Sequence, residues 1–330
     1  MLKSFGYVLS VLLAPVAATA GAAVPPSPAA VEPGGERLVI PFAPPLERDL
    51  RYDITIAKIS KGKEQTSGIV QIVRFSRAGD GFVLTVRMLQ GGVLALPGID
   101  LSSAAGRDTV PEALKPLFAP ISFDLDAKGN LLRVRDWPMW QKNMAAMLGP
   151  LSGLIEKDAS KRAQAKLLLD HAMGQFATLT AEQAAASLLK GWPSILGYGG
   201  LEVEADTEYE SADELAAAIL PVPIPVVSHY SLSSNGPHLQ LRQRSEGDKE
   251  AMAAALSQYF SSLAIGMDEA TRANLRKGAA AMEGMQIVDE IEILFDRTTG
   301  LADWAKIERR ATVQGGEEAI ERTIIQRAKP

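Results

Sequence analysis

Cysteine is absent from this 330-residue chain. A bacterial lipoprotein is acylated on a cysteine at its cleavage point, so membrane anchoring by that route is excluded. Disulfide bonds, zinc sites built on cysteine and cysteine nucleophiles are excluded for the same reason.

Positive charge is also scarce. The 34 lysines and arginines are outnumbered by 39 aspartates and glutamates, which gives a net charge of -5. The basic residues are scattered along the chain, whereas nucleic-acid binding needs them gathered in a stripe or patch. The sequence therefore predicts no nucleic-acid partner, and it does not favour attraction to an anionic membrane surface.

Recognisable catalytic and cofactor motifs are missing. The chain has no Gly-x-Ser-x-Gly elbow and no glycine-rich phosphate loop, so no cofactor is predicted. The run that begins at Asp124 starts like a calcium loop, but Lys128 and Arg135 occupy ligand positions, which indicates a hairpin turn. His229 and His238 fall about 13 Å apart on one predicted hairpin, too far to share a metal ion. No metal site is predicted.

The first twenty residues have the three parts of a secretory signal. Lys3 is followed by an uncharged apolar run from Phe5 to Val16, and the small residues at 18–20 predict cleavage after Ala20, with cleavage after Ala23 as the alternative. A membrane anchor is the alternative, but the run is short for a bilayer span of about 20 residues and Pro15 interrupts it. We expect a periplasmic or secreted protein with no membrane span after cleavage, in which residues 21–35 form a flexible Pro/Gly/Ala-rich lead.

Residues 36–327 predict one α+β domain. Apolar residues alternate with polar ones around Tyr52–Ile56, Ile69–Phe75, Phe82–Met88 and Met285–Phe295, and the short turns between strands indicate an antiparallel sheet. A Phe-Asp-turn-Gly pattern occurs at Phe123 and again at 295–300. It leaves open whether two related halves, about 36–198 and 199–327, were duplicated.

Helical periodicity appears in two blocks. The first covers 137–149, about 151–178 and a helix that starts after Thr180, with Asp136 as the N-cap of the first helix. The second covers 248–265 and 268–282. Before the second block, Asn235-Gly236 predicts a type I′ turn in which Ser234 pairs with Pro237.

This order of elements resembles the half-barrel architecture of periplasmic lipoprotein carriers and related lipid-binding proteins. It is also similar to exported bacterial proteins without an assigned function that share the Asp-x-x-Gly hairpin turns. The resemblance implies a long antiparallel meander, curved into a half-barrel, with helical inserts on its concave face and an apolar ligand beneath them. It is architectural and includes no motif that identifies binding residues.

Five residues are candidates for ligand contacts. Met144 and Met147, whose side chains adapt to irregular apolar shapes, and Leu168 and Phe176 in the helical block could line a cavity or simply fill the core. Asp289 interrupts the apolar face of a strand, so it is either buried and paired or placed in a cavity.

Three functions fit these observations. The first is a periplasmic carrier of an apolar ligand such as a lipid or lipoprotein acyl chain. The second is a structural or interaction protein of the cell envelope, which would bind a protein partner and no small molecule. The third is a hydrolase with an unfamiliar site. The sequence identifies no reaction and favours a binding role over an enzymatic one.

Overall fold

A computed structural model describes residues 35–90, 119–143, 178–189, 191–215, 224–263, 285–312 and 318–329, together with residues 108, 109, 112, 115, 269 and 273. Thirteen strands lie in this part of the chain. They are β1 (Arg37–Val39), β2 (Asp49–Ser60), β3 (Lys63–Ala78), β4 (Gly81–Gln90), β5 (Ile121–Leu125), β6 (Leu131–Val134), β7 (Glu202–Glu204), β8 (Glu208–Leu215), β9 (Ile224–Asn235), β10 (His238–Gly247), β11 (Gln286–Asp296), β12 (Ala302–Thr312) and β13 (Glu318–Arg327).

Eleven of these strands form one antiparallel sheet in the order β6-β5-β4-β3-β2-β13-β12-β11-β10-β9-β8, and β1 pairs with β7 separately. The two predicted meanders share this sheet because β2 pairs with β13, from Tyr52 opposite Arg327 to Ser60 opposite Ala319. Among the described strands β6 and β8 do not pair with each other, so the sheet is open. The prediction of an α+β fold built on a long antiparallel sheet is confirmed.

Helices accompany the sheet at several points. Residues 137–143 are helical, as predicted. Asp136 precedes them with a φ of 52°, whereas an N-cap residue is typically extended, so Asp136 does not have the predicted N-cap conformation. Helix α1 (Ala181–Leu188) begins at the predicted cap: the Thr180 hydroxyl accepts from the Gln183 amide, and the Gln183 side chain accepts from the Thr180 amide. Helix α2 is Lys249–Leu263, capped by Asp248. Of the predicted helix at 151–178, residues 151–177 lie outside the described residues.

The sheet is strongly curved. The β5–β6 and β11–β12 turns are six strand spacings apart in the strand order, which would be about 29 Å in a flat sheet. Both turns nevertheless contact residues 40–43, called here the strap. A Cβ at Gly129 would lie 2.5 Å from the Phe42 ring, and a Cβ at Gly300 would overlap the Pro41 carbonyl oxygen. The Ala43 amide also donates to the Thr299 carbonyl at 2.9 Å. Only a curved sheet brings both turns to one four-residue segment.

The β9–β10 hairpin forms with the predicted face but in a different register. Asn235 pairs with His238 and Leu232 with Leu241, whereas the sequence prediction paired Ser234 with Pro237 and was wrong by two residues. The loop is therefore Gly236-Pro237, in which Gly236 has a φ of 58°. Glycine at the first loop position suits a type II′ turn. Placing Pro237 in the loop keeps a residue without an N–H out of the ladder.

Candidate functional site on the inner face of the sheet

The inner face of the sheet is defined here as the face that packs against residues 191–201. Its central residues form a cross-strand row that we call the apolar row. Pairing runs continuously along the row, and every member is at most 2% exposed: Leu232, Leu241, Ile293, Ala305, Ile325 and Ile54. Alternation along each strand places these side chains on one face, where burial excludes water and stabilises the fold.

Residues 191–201 lie directly over the apolar side chains. The Trp192 ring packs edge-on against Tyr52 at 4.9 Å between centroids, and its Nε1 donates to the Gln71 side chain at 2.7 Å. Gly191 has a φ of 79°, and a Cβ there would lie 2.9 Å from the Ile325 side chain. Ala184 and Ala185 of α1 also belong to this core. The strap end of the inner face is therefore filled by the chain itself.

A second row, called the middle row, lies one step further from the strap, where a step is two residues along each strand. It consists of Tyr209, Tyr230, Gln243, Ile291, Ile307, Thr323, Ile56 and Ser67. Between β8 and β11 its members are only half-buried. The Tyr209 and Tyr230 rings stack at 5.6 Å with an interplanar angle of 22°. Apolar surface thus continues beyond the part of the inner face that is fully covered.

Polar side chains replace apolar ones in the next row, called the inner polar row. It contains Ser211, Ser228, Ser245, Asp289, Arg309, Glu321, Lys58 and Gln65, each opposite its neighbour on the adjacent strand. The three serines, on β8–β10, form what we call its serine side. The four charged residues, on β11, β12, β13 and β2, form its charged side. The row lies near the end of the sheet opposite the strap, one step from the middle row, or about 7 Å along each strand.

The charged side of the inner polar row consists of ion pairs. Arg309 donates to both carboxylate oxygens of Asp289, at 2.7 and 2.6 Å, and these side chains are 16% and 15% exposed. Lys58 Nζ lies 3.4 Å from a Glu321 oxygen. Burial alone would lower the pKa of Arg309, but the Asp289 carboxylate outweighs it and the pKa rises, so the guanidinium stays charged.

The serine side is joined by hydrogen bonds between uncharged groups. The Ser228 and Ser245 hydroxyls are 2.7 Å apart, and the Gln243 Nε2 donates to Ser245 Oγ at 3.1 Å. Tyr198 donates its hydroxyl to Gln243 Oε1 at 3.0 Å, which connects this network to the segment that covers the core. Neutral donors and acceptors therefore stand between the charged side of the row and the edge strand β8.

The outer face carries charge across β8–β12. A groove of about 460 Å³ crosses it, bordered by residues that include His229, Arg242, Arg244, Glu290 and Glu292. His229 lies 3.4 Å from Glu208, whereas His238 lies 3.0 Å from Asp303. The two histidines thus have separate carboxylate neighbours, as expected for the polar face of a hairpin.

Glu308 is the most enclosed charge on the outer face. Its side chain is 2% exposed and accepts from Arg310 at 2.6 Å and Arg322 at 2.7 Å, while Lys306 lies 3.2 Å away. Burial favours the protonated acid, but the three cations outweigh it and lower its pKa to about 2. Glu308 therefore joins β12 to β13 electrostatically on the face opposite the inner polar row.

The structure places one of the five sequence-predicted contacts. Asp289 lies on the inner face, in the Arg309 pair. Met144, Met147, Leu168 and Phe176 lie outside the described residues. In the helical segment that precedes them, Trp137 and Trp140 are buried and Met139 is 55% exposed. The serines and Gln243 were not predicted as site residues, because isolated small polar residues in strands give no sequence signal.

No protein-family model matches the chain, and no curated protein matches it significantly in sequence. Within the described residues, no helix has the length and apolar character that a bilayer crossing requires. In the same part of the chain, no three histidine, aspartate or glutamate side chains are grouped as metal ligands. Evidence on function therefore comes from the geometry of the inner face.

Proposed function

We propose that this protein is an exported carrier that binds an apolar ligand, such as a lipid or lipoprotein acyl chain, on the inner face of its curved sheet. The half-buried apolar surface of the middle row is the observation that carries this proposal. It adjoins the fully buried apolar row, so an acyl chain placed there would extend an existing core.

The contrast between the two faces supports this placement. The outer face of β8–β12 carries ion pairs such as Arg244–Glu290 and Arg242–Glu292, which leave little apolar area for an acyl chain. An open antiparallel sheet with one apolar and one charged face can hold an apolar ligand on one side and face water on the other. Met144, Met147, Leu168 and Phe176, the other contacts predicted from the sequence, would cover the ligand under this proposal.

Filling the middle row with a larger side chain tests the proposal. Ile291→Trp is expected to weaken binding of the apolar fluorophore N-phenyl-1-naphthylamine at least tenfold, because the indole would occupy the ligand's space beside Tyr230 and Gln243. Glu292→Trp is the matched control, since the adjacent side chain points to the outer face. Fluorescence titration measures affinity, and circular dichroism melting confirms that both variants fold.

Two outcomes would contradict the proposal that this protein is a carrier. One is a wild-type protein that does not bind the fluorophore. The other is a pair of folded variants with equal affinity, which would place any bound probe away from the inner face. Either result would direct the next experiment to crosslinking of envelope protein partners.

A further inference from the structure

Building on the proposed function, we infer that the ligand is an amphiphile with an uncharged, hydroxyl-bearing polar end that lies against the inner polar row. We further infer that Asp289 sets this preference by occupying the Arg309 guanidinium, which would otherwise bind an anionic head group.

The order of the rows fits an amphiphile. With increasing distance from the strap, the apolar row is followed by the half-buried middle row and then by the inner polar row. Adjacent rows are separated by two residues along each strand, or about 7 Å. An acyl chain on the middle row would therefore bring its polar end to Ser245, Asp289 and Arg309 within a few bonds.

The charges of the inner polar row are matched. Lys58 and Arg309 face Glu321 and Asp289, so the four side chains sum to zero. An anionic head group could reach Arg309 only by displacing the two-point contact of Asp289 and leaving that carboxylate largely buried beside another negative charge. Breaking a largely buried ion pair leaves an uncompensated charge, so the row disfavours an anionic head group.

Hydroxyl groups on a ligand meet no such obstacle. Ser228 and Ser245 are only 3% and 5% exposed, and Gln243 donates to both hydroxyls as they bond to each other. A serine hydroxyl has one donor and two acceptor positions, so the pair keeps one donor and one acceptor for a ligand hydroxyl that reaches it from the half-buried middle row. The half-buried Gln243 amide and the stacked Tyr209 and Tyr230 rings lie one step away. Together these groups offer hydrogen bonds and aromatic surface without charge, which suits a glycerol or sugar head group.

Two ligands that differ by a single phosphate separate the possibilities. 1-Monooleoylglycerol and oleoyl lysophosphatidate share the acyl chain and the glycerol, and each is titrated against protein loaded with N-phenyl-1-naphthylamine. Wild type is expected to bind the monoacylglycerol at least tenfold more tightly. Equal or tighter binding of lysophosphatidate would overturn the inference, whereas failure to bind the fluorophore at all would instead overturn the proposed function.

Asp289→Asn tests the assigned role of the carboxylate. Without the Asp289 charge the row carries one net positive charge, so the affinity for lysophosphatidate is expected to rise at least tenfold, with little change for the monoacylglycerol. Glu290→Gln removes a charge from the adjacent residue on the outer face and should leave the ratio of the two affinities unchanged. A folded Asp289→Asn protein with the wild-type ratio would overturn the role of Asp289. If that variant does not fold, the wild-type ratio alone still decides the head-group preference.

Discussion

Gly300→Ala is expected to lower the free energy of unfolding by about 4 kcal/mol. The residue has a φ of 67°, which costs an L-residue about 1–2 kcal/mol. A Cβ there would also overlap the Pro41 carbonyl oxygen, which is backbone and cannot rotate away. Forcing the strap outward adds about 1–3 kcal/mol of overpacking.

Gly236→Ala is the matched control for this substitution. Gly236 also has a positive φ, of 58°, but no heavy atom lies within 4 Å of the position that a Cβ would occupy there. It should cost only about 1 kcal/mol, and both variants lose the same flexibility in the unfolded chain. Urea unfolding monitored by tryptophan fluorescence measures the two values. Equal losses would show that the strap does not hold the β11–β12 turn.

Glu308→Gln is expected to destabilise the protein by about 3 kcal/mol at neutral pH. The substitution removes the negative charge that three cations surround and leaves Lys306, Arg310 and Arg322 repelling one another. Breaking a buried ion pair costs about 3–5 kcal/mol, and the partial exposure of these cations places the value at the low end. Glu290→Gln, whose side chain is 38% exposed, should cost less than about 1 kcal/mol.

The effect of Glu308 should depend on pH in a defined direction. Its pKa falls from an ordinary 4.5 to about 2 in the folded protein, so its contribution is complete above pH 4.5 and is lost as the pH falls toward 2. The difference between wild type and Glu308→Gln should therefore shrink over that interval. Denaturant unfolding at a series of pH values measures it, and a difference that stays constant from pH 6 to pH 2 would show that the carboxylate is not the stabilising group.

Local signals in the sequence predicted much of the fold. Period-two alternation identified β2, β3 and β4, and the predicted cap at Thr180 gave the start of α1, because both patterns depend on residues close in sequence. Strand β8 was missed: the sequence of 208–215, EYESADEL, is rich in Glu, Asp and Ala, which are depleted in strands. It forms a strand at the sheet edge by pairing with β9, which local propensity does not reveal.

The candidate site depends on contacts that are distant in sequence. The pairing of Asp289 with Arg309 could have been predicted by counting outward from the turn at 296–300, because hairpin partners lie at nearly equal distances from the turn. The inner polar row could not have been predicted, since it requires knowing that β13 lies between β2 and β12. That order results from the pairing of β2 with β13, which are far apart in the sequence, and a single sequence provides no local pattern for such a pairing.

Native mass spectrometry of the protein purified from the periplasm of a Gram-negative host tests the carrier proposal most directly. The full-length chain is expressed without added ligand, and the released material is identified by lipid extraction. We expect a mature chain that begins at Gly21, with a stoichiometric apolar adduct. A mature chain without an adduct, under conditions in which a known lipid carrier retains its ligand, would contradict the proposal that the inner face binds an apolar molecule.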